Sequence, residues 1–214
     1  MARSPRKPGR PPAGEADQGA REALISAASE LFSAHGTDGV SVRQIAEAAG
    51  VSAAMIHYYF KDKRGLMRAV LERGLDRILE IVTAVVEGAE SPVTNRFIDQ
   101  YIRALDAEPS LPQLMIREVL SRNSPYQDAI RRRFVEKAAA LLPPRLAADM
   151  AGGRLRSDLD PRLTMISLIG MCVFPFLAAP LIRPVLGLDT DRAFVEALVS
   201  HTTRLFNEGA VPTK

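Results

Sequence analysis

The 214-residue sequence predicts an all-α chain, with an N-terminal three-helix unit containing a helix-turn-helix and a larger C-terminal helical unit. Three observations lead there. Apolar residues recur at i, i+3 and i+4 along most of the chain, and no segment alternates in the manner of a strand with hairpin turns. Helix-opening residues recur at Ser41, Ser52, Asp62, Ser91-Pro92, Ser124-Pro125 and Asp160-Pro161. Between the first and third of these, residues 41–60 read as two short helices joined by a tight turn.

In chain order, the opening helix is REALISAASELFSAHG, residues 21–36, and TDGV links it to the next. Ser41 and Gln44 form an S-x-x-Q capping box, with Val40 and Ile45 at the positions of a hydrophobic staple. Val42, Ile45, Ala46 and Ala49 give the first short helix one apolar face. Gly50 follows as a residue able to take positive φ and end it. Ser52 is expected to cap the second short helix, and Val51 and Ile56 repeat the staple spacing. So short a turn makes the two helices cross steeply. Ile56, Tyr59 and Phe60 then face inward, and Ala53, Ala54, His57 and Tyr58 lie on or beside the outward face.

That outward face suits a nucleic-acid groove. Small residues at Ala53 and Ala54 let the helix N-terminus approach closely, and its free N–H groups favour phosphate. Ser52, His57 and Tyr58 can donate to phosphate oxygens. Met55 or an alanine methyl can touch a thymine methyl. Lys61 is placed for a phosphate, and Arg43 for a base edge or the backbone. The plainer reading of Tyr59 and Phe60 is core, and of an isolated histidine an ordinary surface group.

Charge distribution agrees. Residues 1–70 hold 10 Lys+Arg against 7 Asp+Glu, whereas residues 71–214 hold 18 of each, so the whole +3 surplus lies with the helix-turn-helix. Residues 1–19 are expected to form a disordered basic arm. Its PRKPGRPP piece resembles an AT-hook and offers Arg10 to a narrow A·T minor groove, or else is a solvated tail. Residues 20–66 are expected to form the helix-turn-helix domain and residues 67–214 a ligand-binding and dimerisation domain.

Several classes fit poorly. No run of about 18 apolar residues exists to span a membrane, and the N-terminus lacks the apolar stretch of a secretory signal. Single Cys172 suits a reducing cytoplasm. His35, His57 and His201 lack metal-ligand spacing, and no phosphate-cradling glycine loop appears. No metal, no cofactor and no enzymatic activity are expected.

After Phe60 everything reads as helix. Asp62 opens one towards Ala89, and Ser91-Pro92 another through Phe97, Tyr101 and Leu105. Pro112 begins a third through Met115, Glu118 and Val119. Ser124-Pro125 begins a fourth that reaches Leu142 and stops at Pro143-Pro144. The fifth starts at Asp160-Pro161, with Pro175 expected to kink or end it, and the last runs from Asp189 or Asp191 to Asn207. The fifth is apolar nearly all round, which predicts burial on every side and, in so small a chain, a subunit interface. Phe97, Tyr101, Met115, Phe134, Met165, Ile169 and Phe174 suit an apolar cavity, with Arg117, Glu118 or Asn123 as polar anchor. They suit a plain core equally well, and Met171 fits cavity or interface.

Over residues 21–71 the sequence resembles the TetR/AcrR family of bacterial regulators. The resemblance rests on the opening helix, TDGV, the spacing from Ile45-Ala46 through Ala49-Gly50-Val51-Ser52 to Tyr59-Phe60 and Lys63, and FKDKRGLMRAVL. It implies DNA contacts at Arg43, Ser52, Ala53, Ala54, His57, Tyr58 and Lys61. Ala53, Ala54 and His57 depart from the Lys, Gly and Tyr common at those positions. The resemblance also implies a homodimer paired through residues 161–178 and 191–207, where Leu168, Met171, Phe176, Phe194, Leu198, His201 and Leu205 would meet the partner. Such a dimer presents two helices to a palindromic DNA operator, and the family carries a small-molecule effector pocket in its larger domain. The expected function is therefore a cytoplasmic, ligand-responsive repressor released by a small, largely apolar effector. The alternatives are an activator, or a small-molecule-binding helical protein without DNA function.

Overall fold

The computed structural model describes residues 13–88, 92–188 and 192–210. The chain divides into two compact units, the boundary falling between Val70 and Leu71. All regular structure among the described residues is helical.

The first unit comprises α1 (Ala13–His35), α2 (Val42–Ala48), α3 (Ala53–Phe60) and the first turns of α4 (Lys63–Glu87). Helix α1 starts eight residues before the expected Arg21, so residues 13–19, assigned by sequence to the arm, are helical. Ala, Glu and Gln are good helix formers, and Asp17 sits near the N-terminus, where the helix dipole favours acid. The remainder of the arm, including Arg10, lies outside the described residues. Leu24, Ile25, Ala28 and Phe32 form the buried stripe of α1, which packs on α2 and α3. Full burial of Leu24, Ile25 and Phe32 contributes about 1.5–3 kcal/mol apiece.

The ends of α2 follow the sequence signals. Gln44 N–H donates to Ser41 Oγ (3.2 Å), and Ser41 N–H donates to Gln44 Oε1 (2.8 Å), completing the capping box. At the other end Val51 N–H donates to the Ala46 carbonyl and Gly50 N–H to that of Glu47. This Schellman closure needs a left-handed residue, and Gly50 supplies it with φ +68°. Ser52 occupies the N-cap of α3, yet its hydroxyl makes no capping bond. The Met55 N–H it would have accepted donates to the Ser52 carbonyl instead (3.0 Å). Asp62 does cap α4, accepting from Gly65 N–H at 2.8 Å.

The second unit continues α4 and adds α5 (Val93–Ala107), α6 (Leu111–Leu114), α7 (Gln127–Ile130), α8 (Glu136–Ala151), α9 (Pro161–Leu177), α10 (Ala179–Leu186) and α11 (Arg192–Ala210). A π-helical turn at Met115–Val119 extends α6, and another at Arg131–Val135 joins α7 to α8. Helix α5 lies at the centre, packed against α8, α9 and α11. The core joins Phe97, Ile98 and Ile102 of α5 to Leu142 and Leu146 of α8, Leu168 and Cys172 of α9, and Phe206 of α11.

Three expectations fail here. Pro143 and Pro144 do not stop the helix; they lie inside α8, which continues to Ala151. Buried Leu142 before them and Leu146, Asp149 and Met150 after them hold the helix in place. Pro175, by contrast, stands near the end of α9, which stops two residues later at Leu177. Helix α9 is not buried all round: Thr164, Leu168, Cys172 and Phe176 point inward, while Leu163, Ile166 and Phe174 are 63%, 61% and 61% exposed. In addition, the helix expected from Ser124-Pro125 begins at Gln127, because Ser124 Oγ accepts Tyr126 N–H (3.1 Å) in a turn. Among the described residues no single helix is long and apolar enough to cross a membrane.

Candidate nucleic-acid interface

Helix α3 separates its side chains cleanly. Ile56 and Phe60 are buried, Met55 and Tyr59 half-buried, and Ser52, Ala53, Ala54, His57, Tyr58 and Lys61 exposed. Tyr58 is 71% exposed, an aromatic ring held out into solvent. Arg43 is exposed on α2. The fold therefore brings Ser52, Ala53, Ala54, His57, Tyr58 and Lys61 onto α3 and its flanks, with Met55 turned partly inward.

The inward side of α3 is braced by contacts that the sequence did not announce. Tyr59 Oη donates to the Asp17 carbonyl oxygen at 2.9 Å and to the Asp17 carboxylate. The carboxylate bond, with lesser help from desolvation, pushes the Tyr59 phenol up to about 12. The Arg21 guanidinium stands 5.4 Å from the centre of the Phe60 ring, a cation–π contact. Lys63 Nζ donates to the Thr37 and Val40 carbonyls at 2.8 and 3.0 Å, so its charge fastens the loop before α2. Tyr59 is thus a brace between α1 and α3 as well as an inward residue.

After α3 the chain turns sharply. Lys61 takes φ +71°, rare for a residue with a side chain. Its N–H donates to the His57 carbonyl (3.0 Å), and its own carbonyl lies 2.5 Å from His57 Nδ1. Gly65 permits this turn, because a Cβ there would stand 1.9 Å from the Phe60 carbonyl oxygen.

In the second unit, Phe97 and Tyr101 stack with ring centres 4.9 Å apart and are buried. Burial raises the Tyr101 phenol pKa, with nearby Cys172 adding to it, and burial pushes the Cys172 thiol up to about 12. That thiol stays protonated and unreactive at neutral pH. Met115, Phe134, Met165 and Ile169 are half-buried against the same core. Glu118 is half-buried, and Arg117 and Asn123 are exposed. Phe174 does not line a cavity: it lies about 200° around the helix from buried Cys172 and faces outward. Leu168 and Phe176, assigned to a subunit interface, are 0% and 4% exposed within their own core. They follow the inward row that Thr164 and Cys172 define at four-residue spacing. Met171, Phe194 and Leu198 are half-buried, and His201 and Leu205 exposed. Surface grooves occur among the described residues of this unit. One of about 300 Å³ is lined by Pro109, Gln113, Phe176, Ala179, Pro180 and Pro184. Another, of about 540 Å³, is lined by α4 residues from Asp76 to Glu87 and by Arg133.

The family model for bacterial regulatory proteins of the tetR family matches residues 24–70. The HTH-type transcriptional regulator RutR of Escherichia coli (strain K12) is 30% identical over 200 residues, covering 90% of this chain and 91% of RutR. Among solved structures, a TetR/AcrR-family transcriptional regulator from Thermobifida fusca YX-ER1 superposes with a TM-score of 0.66 at 24% identity, covering 88% of this chain and 97% of that one. The regulator FadR from Bacillus subtilis, solved in complex with stearoyl-CoA, has a TM-score of 0.68 at 19% identity, covering 88% and 98%.

Proposed function

Because this chain belongs to the tetR family of bacterial regulatory proteins, and is a transcriptional regulator rather than an enzyme, we propose that it is a ligand-responsive repressor that binds a palindromic operator as a homodimer. The observation that carries this reading is the exposed face of α3. Ser52, Ala53, Ala54, His57, Tyr58 and Lys61 stand outward on a helix whose other side is clamped by Ile56, Phe60 and the Tyr59–Asp17 bond. A helix so placed enters the major groove with small residues leading and hydroxyl and ammonium groups meeting phosphates. Arg43 and the partly turned Met55 flank it.

Pairing proceeds through the outer sides of α9 and α11, where Leu163, Ile166, Phe174 and Leu205 are exposed and His201 lies beside them. The effector is small and largely apolar. Phe97, Tyr101, Met115, Phe134, Met165 and Ile169 supply the apolar lining and Glu118 a polar anchor. The B. subtilis regulator of like fold was solved with stearoyl-CoA, whose acyl chain, though not its charged CoA moiety, is apolar. Binding to one dimer conformation shifts its population and the operator affinity with it.

The test replaces Tyr58 and Lys61 together with Ala. Operator affinity, measured by fluorescence anisotropy, is expected to fall on the order of 100-fold, while helical content and dimer mass stay unchanged. Loss of helical content would mean that these side chains hold the fold, and unchanged affinity would remove α3 as the contact surface.

A further inference from the structure

One side chain on the exposed face of α3 has its hydrogen-bonding role set by the fold. His57 Nδ1 lies 2.5 Å from the Lys61 carbonyl oxygen. A carbonyl oxygen only accepts, so the neutral imidazole must carry its proton on Nδ1. In that neutral ring the outer nitrogen, Nε2, accepts and does not donate.

The backbone enforces this arrangement. In a continuing helix the Lys61 carbonyl would point onward, away from His57. The γ-turn-like conformation of Lys61, with φ +71° and ψ −49°, brings it back to the ring. The Lys61 N–H bonds the His57 carbonyl at 3.0 Å, so main chain and ring close on each other. Ala53 and Ala54, one turn earlier on the same side, bring only methyl groups, leaving Nε2 without a competing donor there.

The other polar residues of this surface do not share the constraint. Hydroxyls on Ser52 and Tyr58 both donate and accept, and Lys61 and Arg43 only donate. Phosphate oxygens accept, as do guanine N7 and O6, adenine N7 and thymine O4. None of them can pair with Nε2 of the neutral ring. The hydrogen-bond donors on the major-groove edges are the exocyclic amino groups, adenine N6 and cytosine N4. We propose that His57 reads such an amino group in each half-site, as a specificity-determining acceptor. This replaces the phosphate-donor role suggested by its place in the sequence, and it rests on α3 being the DNA-facing helix.

The experiment selects duplexes from a randomised pool with full-length wild-type protein, His57→Ala and His57→Arg, each checked for helical content. Wild type should enrich adenine or cytosine at one position per half-site. His57→Ala should lose about ten-fold discrimination there and nowhere else. His57→Arg should turn that position to guanine, whose O6 and N7 accept from the guanidinium. In the recovered site, purine in place of adenine, or 2-pyrimidinone in place of cytosine, removes the amino group alone and tells the two bases apart. Whichever matches should weaken wild type about ten-fold and leave His57→Ala unaffected. Ring nitrogen correlations in the NMR spectrum of the free wild-type protein should place the proton on Nδ1. Guanine at the His57-dependent position, a site unchanged in His57→Ala, or a proton on Nε2 would each overturn the inference while leaving α3 as the contact helix. A wild-type protein that enriches no sequence would overturn the contact helix itself.

Discussion

Helix α2 in the first unit and α8 in the second each meet residues that end helices. At Gly50 α2 stops, and its last carbonyls are closed by the Gly50 and Val51 N–H groups. At Pro143 and Pro144 α8 carries on for two more turns to Ala151. The difference lies in what stands beyond the break. Only Ile45 and Ala46 of α2 are buried, so extending it past Gly50 would gain little. Past its prolines α8 buries Leu146, Asp149 and Met150. Two apolar side chains at about 1.5–3 kcal/mol each, together with the bonds of Asp149, offset a proline cost of about 3 kcal/mol per residue. Local chemistry therefore sets helix limits where little is buried, and tertiary burial sets them where much is.

The largest test of this contrast removes what holds the far end of α8. Asp149 is fully buried, with Oδ2 accepting Val93 N–H (2.8 Å) and Oδ1 accepting Arg154 Nε–H (3.0 Å). Asp149→Ala is expected to cost about 3 kcal/mol in urea unfolding, and a cost near zero would mean that α8 persists for other reasons. Next, Pro144→Ala at an exposed position should stabilise the second unit by about 2 kcal/mol, once the looser unfolded chain is allowed for. No gain would show that α8 bears no proline strain. In the first unit Gly50→Ala has room for its methyl but must hold φ +68°, so a loss of about 1 kcal/mol is expected from thermal unfolding.

The smallest effect concerns pH. The Tyr59 phenol is raised above its ordinary value of 10.0 to about 12, chiefly by its bond to Asp17. A raised value means that the folded state holds the proton more tightly. The bond's contribution is therefore complete below pH 10 and disappears as pH rises through about 12. Phenolate absorbance should show one tyrosine titrating near 12, returning towards 10.0 in Asp17→Asn, and hydrogen exchange in the first turns of α1 should quicken in that variant. No change in the titration would remove Asp17 as its cause.

What the sequence discloses follows the same division. Ser41 with Gln44, Gly50 with Glu47, Asp62 with Gly65 and Asp160 with Arg162 act within four residues of one another, and spacing alone reveals them. Tyr59 to Asp17, Lys63 to Val40 and Val93 to Asp149 span 42, 23 and 56 residues, and no periodicity records such pairs. Helix α9 shows a second limit. Apolar on every side, it gives no contrast by which to orient it, so Phe174 was expected inside and Leu168 at an interface, the reverse of their burial. The outward set on α3 was legible because Ile56 and Phe60 fix one side of a short helix. The acceptor state of His57 was not, because it depends on a single backbone torsion at Lys61.

That torsion sets two kinds of fitness against each other. Glycine at position 61 would take the positive φ with less strain, but would bring no ammonium group to a duplex. A lineage selected for heat tolerance alone would drift to glycine there, whereas one selected for grip on its promoter would keep lysine and tolerate the discomfort.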